Sequence, residues 1–85
     1  MQKSEIKFKI TTPDKIIVDG YYSSVIFPGE SGNFELLANH ENFISQLKVG
    51  TIHAKAKDHT TSEFVVSASF AKFSHHQNIC EVAAE

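Results

Sequence analysis

The sequence predicts an all-β protein: a two-sheet β-sandwich, or flattened barrel, of about eight to ten short and mostly antiparallel strands. Apolar residues recur at every second position, as in Ile6, Phe8 and Ile10, and this period places alternate side chains on one buried face. Turn-forming residues interrupt such runs at spacings under about ten residues, which is typical of sandwiches and barrels. The long stretch without Gly or Pro, residues 51–85, keeps the period of two. No amphipathic helix of useful length is therefore expected.

The first half of the chain alternates between strands and clear turn residues. Pro13-Asp14 predicts a turn after the first strand, and residues 15–19 restart the β pattern. Asp19-Gly20 predicts a tight hairpin, because Gly tolerates positive φ without steric cost. Residues 21–27 predict the next strand. The six residues 28–33 are rich in Gly, Ser and Asn and predict an exposed loop.

The second half is predicted to contain further short strands. Residues 34–37 form a short strand candidate, and the polar residues 38–42 form a connection. Residues 43–47 could be a strand or one helical turn, and the strand is favoured. Residues 51–57 alternate cleanly, and residues 58–61 turn the chain. The remaining predictions are strand-like pieces at 64–70 and 71–74, a turn at 75–78 and a last strand at 79–82.

Composition narrows the class of function. The 85 residues predict one domain, 1–85, and carry a formal net charge of −2 with eight scattered Lys. Since the chain lacks Arg and a basic stripe, it does not fit a nucleic-acid-binding protein. Cys80 is the only cysteine, so neither an internal disulfide nor a cysteine-rich zinc module can form. No apolar run approaches a membrane span, and residues 1–5 do not begin a signal core; a cytosol-like compartment is expected.

Candidate chemical groups all favour a structural interpretation. His75 and His76 with Cys80 offer soft metal ligands, but adjacent side chains on a strand or tight turn point apart, and structural zinc needs four convergent ligands. His40 beside Glu41 suggests an acid–base pair, yet sequence neighbours rarely face one another. Residues 67–69 lack the nucleophile elbow of hydrolases, and residues 27–33 contain no Lys for a phosphate loop. The sequence therefore predicts no catalytic, cofactor-binding or metal-binding residue.

Several stretches of the chain, taken in order, match the pattern of one known family. These stretches are Thr12-Pro13-Asp14, Asp19-Gly20, residues 24–32, His40, Leu47-Lys48-Val49-Gly50 and residues 64–85. On them the chain resembles, collinearly over nearly its whole length, the N-terminal β-sandwich domain of the epsilon subunit of the rotary F-type ATP synthase. Two segments depart from the usual family pattern: residues 35–40 lose two Gly and one Pro, and residues 67–69 read Ser-Ala-Ser where Ser-Gly-Gly is usual. Asn39 can still adopt left-handed φ.

The resemblance implies a non-catalytic rotor subunit that links the gamma subunit to the membrane c-ring and supports coupling of proton flow to ATP synthesis. One copy per complex is expected, peripheral on the cytoplasmic face of the bacterial inner membrane, with no cofactor and no membrane insertion. By position, Thr12, His40 and Ser45 match residues that face the gamma subunit. The c-ring contact implied by the resemblance comprises Glu30, Ser31, Gly32 and Asn33.

Family members usually continue into two C-terminal helices that can inhibit the catalytic head. The chain ends three residues after Val82, so the resemblance implies a subunit without a helical domain and without this inhibitory arm. Two alternatives remain at this point. One is a free-standing β-sandwich module that binds protein or carbohydrate; the other is a compact enzyme, for which no convergent acid, base and nucleophile are evident.

Overall fold

Nine β-strands form the structure, a computed structural model that describes residues 4–84. Residues 1–3 of the expected domain, and Glu85 of the last matching stretch, lie outside the described part. Within residues 4–84 no helix is long and apolar enough to cross a membrane. The prediction of an all-β fold is confirmed. The strands are β1 (Ile6–Thr11), β2 (Ile16–Tyr22), β3 (Ser24–Gly29), β4 (Gly32–Leu37), β5 (Phe43–Leu47), β6 (Gly50–Lys55), β7 (Thr61–Val66), β8 (Ser69–Ser74) and β9 (Ile79–Ala83).

Hydrogen bonds join the strands into one curled, mixed sheet. The order is β2-β1-β9-β8-β5-β3-β6-β7, and β4 pairs with β3 beside this path. The β1–β9 pair is parallel, and the other recorded pairs are antiparallel. The curl brings β7 against β1, where the ring centroids of Phe64 and Phe8 lie 6.4 Å apart. Because the sheet folds onto itself, its two halves enclose the core as in a flattened barrel.

The core follows from the alternation of apolar side chains. Ile6, Phe8 and Ile10 of β1 are buried, while the lysines between them are only partly covered. Contacts between aromatic rings extend from this core to the β4–β5 turn: Phe27 stacks on Phe34 at 5.2 Å, and Phe34 meets Phe43 edge-on at 5.6 Å. The other buried apolar residues are Val25, Leu36, Leu47, Ile52, Ala54, Val66, Ala71, Phe73, Cys80 and Val82.

The predicted hairpin at Asp19-Gly20 is wrong. Both residues lie inside β2, where Gly20 pairs with Phe8 and Asp19 with Lys9. An added Cβ on Gly20 would lie 3.4 Å from the Tyr22 ring, and that ring meets Phe8 edge-on at 5.9 Å. Gly20 thus lies beneath an aromatic ring within a strand, a position that sequence alone does not distinguish from a turn.

Several other boundaries differ from the prediction, and two of the differences change which residues are exposed or paired. The loop expected over residues 28–33 is shorter, since Pro28 and Gly29 belong to β3 and are buried. The strand expected over 64–70 is interrupted at 67–68, where the chain leaves β7 and crosses to β8 beside β5. Neither Gly nor Pro marks this crossing, so the sequence placed the break too late.

Candidate docking surfaces

The predicted c-ring contact forms the tip of the β3–β4 hairpin. Gly29 pairs with Gly32, so Glu30 and Ser31 form a two-residue connection. Gly32 has φ of 125°, a conformation that side-chain-bearing residues rarely adopt. Residues 30–33 are all exposed. We call them the hairpin tip.

The base of this hairpin is tightly packed, which fixes the tip in space. A Cβ on Gly29 would lie 2.8 Å from the Gly32 carbonyl oxygen and 2.9 Å from Cδ1 of Phe34. The backbone N–H of Lys48 donates to the carbonyl oxygen of Pro28 at 3.0 Å. A Cβ on Gly50 would lie 2.9 Å from Cβ of Pro28. The tip therefore protrudes from a rigid support, as binding loops commonly do.

Ser45 lies beside the hairpin tip. It is half-buried in β5, on the same side of the strand as Phe43 and Leu47, and pairs with Ala71 of β8. A cleft of about 530 Å³ is lined by Ser45 together with residues 29–34, 44 and 46. The structure thus places one predicted gamma contact next to the whole predicted c-ring contact.

His40 lies in the β4–β5 turn, where its exposed ring packs on two aromatic residues. The ring centroid is 5.5 Å from that of Phe43 and 6.2 Å from that of Phe73, both edge-on. Nδ1 lies 2.8 Å from the backbone carbonyl oxygen of Glu41, so the ring is oriented by the neighbouring main chain. Asn39 precedes it with φ of 70°. The expectation that Asn39 can replace a turn glycine is confirmed.

A set of polar contacts joins this turn to the β8–β9 turn. The Asn39 backbone N–H donates to Oδ1 of Asn78 at 2.6 Å, and Nδ2 of Asn78 donates to Oδ1 of Asn39 at 3.2 Å. The backbone N–H of His75 donates to Oδ1 of Asn42 at 2.6 Å. His75 Nδ1 lies 2.8 Å from the His40 carbonyl oxygen and 3.1 Å from that of Asn39. We call these contacts the turn clamp; no sequence motif indicates it, because it joins residues more than 30 positions apart.

Thr12 lies in a different part of the surface. Its Oγ1 accepts a hydrogen bond from the Lys15 backbone N–H at 3.3 Å and stabilises the β1–β2 turn. It lines a cleft of about 430 Å³ with residues of β1, β2 and β7 that include Ile17 and Val65. His40 and Ser45 do not line this cleft. Thr12 and Ser45 therefore line different clefts, and His40 lines neither of them.

Exposed apolar side chains on the outer face of β5 and β8 were not predicted. Ile44 is 73% exposed and Phe70 is 55% exposed. Ile44 pairs with Lys72, and Phe70 with Gln46, so the four side chains lie together on the face opposite the core. The alternation of Phe43, Ser45 and Leu47 could have indicated that Ile44 points outward.

Cys80 takes no part in these surfaces. Its side chain is fully buried, and burial, with a smaller contribution from the Glu81 charge, raises the pKa of the thiol to about 12. Its strand partner in β8 is Phe73. Within residues 4–84, no group of three or more His, Cys, Asp or Glu side chains is placed to hold a metal ion.

Comparison with known proteins identifies the family of this fold. The family described as ATP synthase, Delta/Epsilon chain, beta-sandwich domain matches residues 5–85. The chain belongs to this family.

Its relatives include proteins named ATP synthase epsilon chain from several bacteria. The chain from Nitratiruptor is 35% identical over 72 residues, which is 85% of this chain and 56% of that protein. The chain from Latilactobacillus sakei is 29% identical over 86 residues, 99% of this chain and 58% of that protein. The chain thus spans a little over half the length of these relatives.

Solved structures share the fold. A chain in a Euglena gracilis mitochondrial ATP synthase assembly (OSCP, F1 and c-ring) superposes with a TM-score of 0.91 at 19% identity, covering 99% of this chain and 52% of that chain. A chain in the Tetrahymena thermophila mitochondrial ATP synthase central stalk and c-ring gives 0.73 at 15% identity, covering 99% and 66%. At these identities the likeness establishes a common architecture.

Proposed function

We propose that this protein is a central-stalk subunit of a rotary F-type ATP synthase that docks between the gamma subunit and the c-ring. The observation that carries this proposal is membership of the ATP synthase delta/epsilon β-sandwich family over residues 5–85, together with relatives named ATP synthase epsilon chain. In this role the protein transmits torque and makes no chemical bonds. It resides with the membrane-bound complex, peripherally, on the cytoplasmic face of the inner membrane, at one copy per complex.

The geometry suits a subunit that is held between two partners. The hairpin tip is exposed and carried by a packed base, so it can press against another surface without deforming. Ser45 and the tip line one cleft, which lets the gamma contact and the c-ring contact lie side by side. A narrow, rigid region touching both partners would couple the rotation of one to the other.

The outer face of β5 and β8 offers an apolar contact surface for the gamma subunit. Ile44 lines the same cleft as Ser45 and is 73% exposed. A few residues near the desolvated centre of an interface carry most of its binding energy. In the proposed complex, Ile44 is covered by gamma.

Co-purification tests the proposal. An affinity-tagged chain, produced in its source organism, is expected to recover the gamma subunit and the c-ring, both identified by mass spectrometry. Replacing Ser31 and Asn33 with Trp should reduce recovery of the c-ring, retain gamma and leave the thermal transition unchanged, because both side chains are exposed. If the wild-type chain recovers neither subunit, the proposed function is wrong. If the double variant unfolds earlier and still recovers the c-ring, the tip has a structural role instead.

A further inference from the structure

We propose that His40 and His75 together present two hydrogen-bond acceptors, the Nε2 atoms of both imidazoles, to a cationic donor on the gamma subunit. The donor is a Lys or Arg side chain. This inference rests on the proposed function and specifies the chemistry of its gamma-facing region. We call the pair the imidazole surface.

The contacts of His75 decide which nitrogen carries the proton. Nδ1 lies 2.8 Å from the carbonyl oxygen of His40 and 3.1 Å from that of Asn39. Carbonyl oxygens only accept hydrogen bonds, so Nδ1 must be the protonated nitrogen. In the neutral ring Nε2 then carries a lone pair and can only accept.

The same reasoning applies to His40. Its Nδ1 lies 2.8 Å from the carbonyl oxygen of Glu41, and this contact again requires a proton on Nδ1. Both His side chains are exposed. Among residues 4–84 neither Nε2 has a recorded hydrogen-bond partner. Two unused acceptors therefore lie on adjacent turns.

Existing contacts restrict both rings before any partner binds. His75 is held through its own backbone N–H, bonded to Asn42, and through the carbonyl oxygens that its Nδ1 contacts. His40 is held by edge-on packing against Phe43 and Phe73. Because the rotamers are already restricted, less side-chain entropy remains to be lost on binding. Fixed acceptors of this kind favour recognition of a specific donor.

The negative charge in the β4–β5 and β8–β9 turns favours a cation as the donor. Residues 38–42 and 75–78 contain one carboxylate, Glu41, and no Lys or Arg. Glu41 is exposed next to His40. A Lys or Arg side chain can donate to imidazole Nε2 while its charge is attracted to this carboxylate.

The tautomers can be measured without any partner. Long-range proton–nitrogen correlation spectra of the ¹⁵N-labelled protein, recorded about two pH units above the ordinary imidazole pKa of about 6.5, distinguish protonated from unprotonated ring nitrogens. We expect His40 and His75 to be protonated on Nδ1 and unprotonated on Nε2. Protonation of either ring on Nε2 would overturn the inference, whatever the function of the protein.

Binding to the purified gamma subunit of the source organism tests the partner. His40→Phe keeps an aromatic ring against Phe43 and Phe73 but removes the acceptor, and should weaken binding by about two- to twelvefold, as expected for one hydrogen bond. His76→Phe is the matched control, in the same pair of turns, and should bind like the wild type. Both variants should keep the wild-type thermal transition.

The outcomes separate the two proposals. If the wild-type chain does not bind gamma, the proposed function fails and this partner assignment fails with it. If the wild type binds and His40→Phe binds equally well, the function stands and the imidazole surface is refuted. Equal weakening by His76→Phe would also refute it, because the effect would then belong to the turn as a whole.

Discussion

Replacing Gly29 with Ala tests whether the hairpin tip is held rigidly from below. The new Cβ would lie 2.8 Å from the carbonyl oxygen of Gly32 and 2.9 Å from the Phe34 ring. Carbon atoms do not approach this closely, so the backbone of the hairpin must move. Overpacking of this kind costs about 1–3 kcal/mol of folding free energy. For a domain of this size the melting temperature should fall by about 4–8 °C for each kcal/mol.

Gly20→Ala is the matched control for this change. It also adds one methyl group to a glycine within a strand, but the nearest atom is Cε2 of Tyr22 at 3.4 Å, an ordinary contact. Its effect should stay below about 1 kcal/mol, partly offset by the lower entropy of the unfolded chain. Urea unfolding followed by circular dichroism measures both variants. A Gly29→Ala protein within about 0.5 kcal/mol of the wild type, or an equal loss in Gly20→Ala, would refute the packing argument.

Three further predictions concern the core, the thiol and the turn clamp. Phe27→Ala should lower the free energy of unfolding by about 3–5 kcal/mol, as large core truncations do; a loss below about 1 kcal/mol in urea titration would contradict its burial. Burial raises the pKa of Cys80 from its ordinary 9.0 to about 12, so ionisation of the thiol above pH 9 favours the unfolded chain. The free energy of unfolding should therefore decline between pH 9 and pH 12 more in the wild type than in Cys80→Ala. Parallel pH profiles of the two proteins would contradict this. Asn39→Gly and Asn78→Gly should each lower the free energy of unfolding. The double variant should lower it by less than the sum of the two single effects, because both substitutions remove the same reciprocal contact. Strict additivity in thermal unfolding would show that the two side chains are not coupled.

The alternation of apolar and polar residues was sufficient to predict the all-β fold class. The pattern of Ile6, Phe8 and Ile10 is matched by their burial in β1, and residues 43–47 were correctly favoured as a strand. Such runs are predictable because strand geometry places every second side chain on one face, wherever the strand lies in the sheet. The parallel pairing of β1 with β9 was not predictable, since it depends on contacts between the two ends of the chain.

Glycines limited what could be predicted about turns. Gly20 lies within β2, where it pairs with Phe8 of β1, whereas Gly32 has positive φ at the tip of the β3–β4 hairpin. Both belong to dipeptides or clusters that favour turns, and the deciding neighbours are tertiary. Conversely, the crossing at 67–68 contains neither Gly nor Pro, so local composition placed it wrongly.

The positions of the candidate docking residues were predictable in part. The exposure of Glu30–Asn33 follows from turn-forming composition, and residues 30–33 are indeed exposed. The closeness of Ser45 to that tip depends on how β5 lies against the β3–β4 hairpin. The turn clamp depends on Asn39 and Asn78 meeting across 39 positions of sequence. These contacts join segments that are far apart in the chain, and no local sequence pattern indicates them.

The central claim is that this protein links gamma to the c-ring and so supports coupling. The most direct measurement is ATP-driven proton pumping by membranes of the source organism whose ATP synthase has been depleted of this subunit. Adding back the purified 85-residue chain should restore pumping, and the variant with Trp at positions 31 and 33 should restore much less. Pumping that is equal with and without the chain, while the remaining subunits stay assembled, would contradict the account.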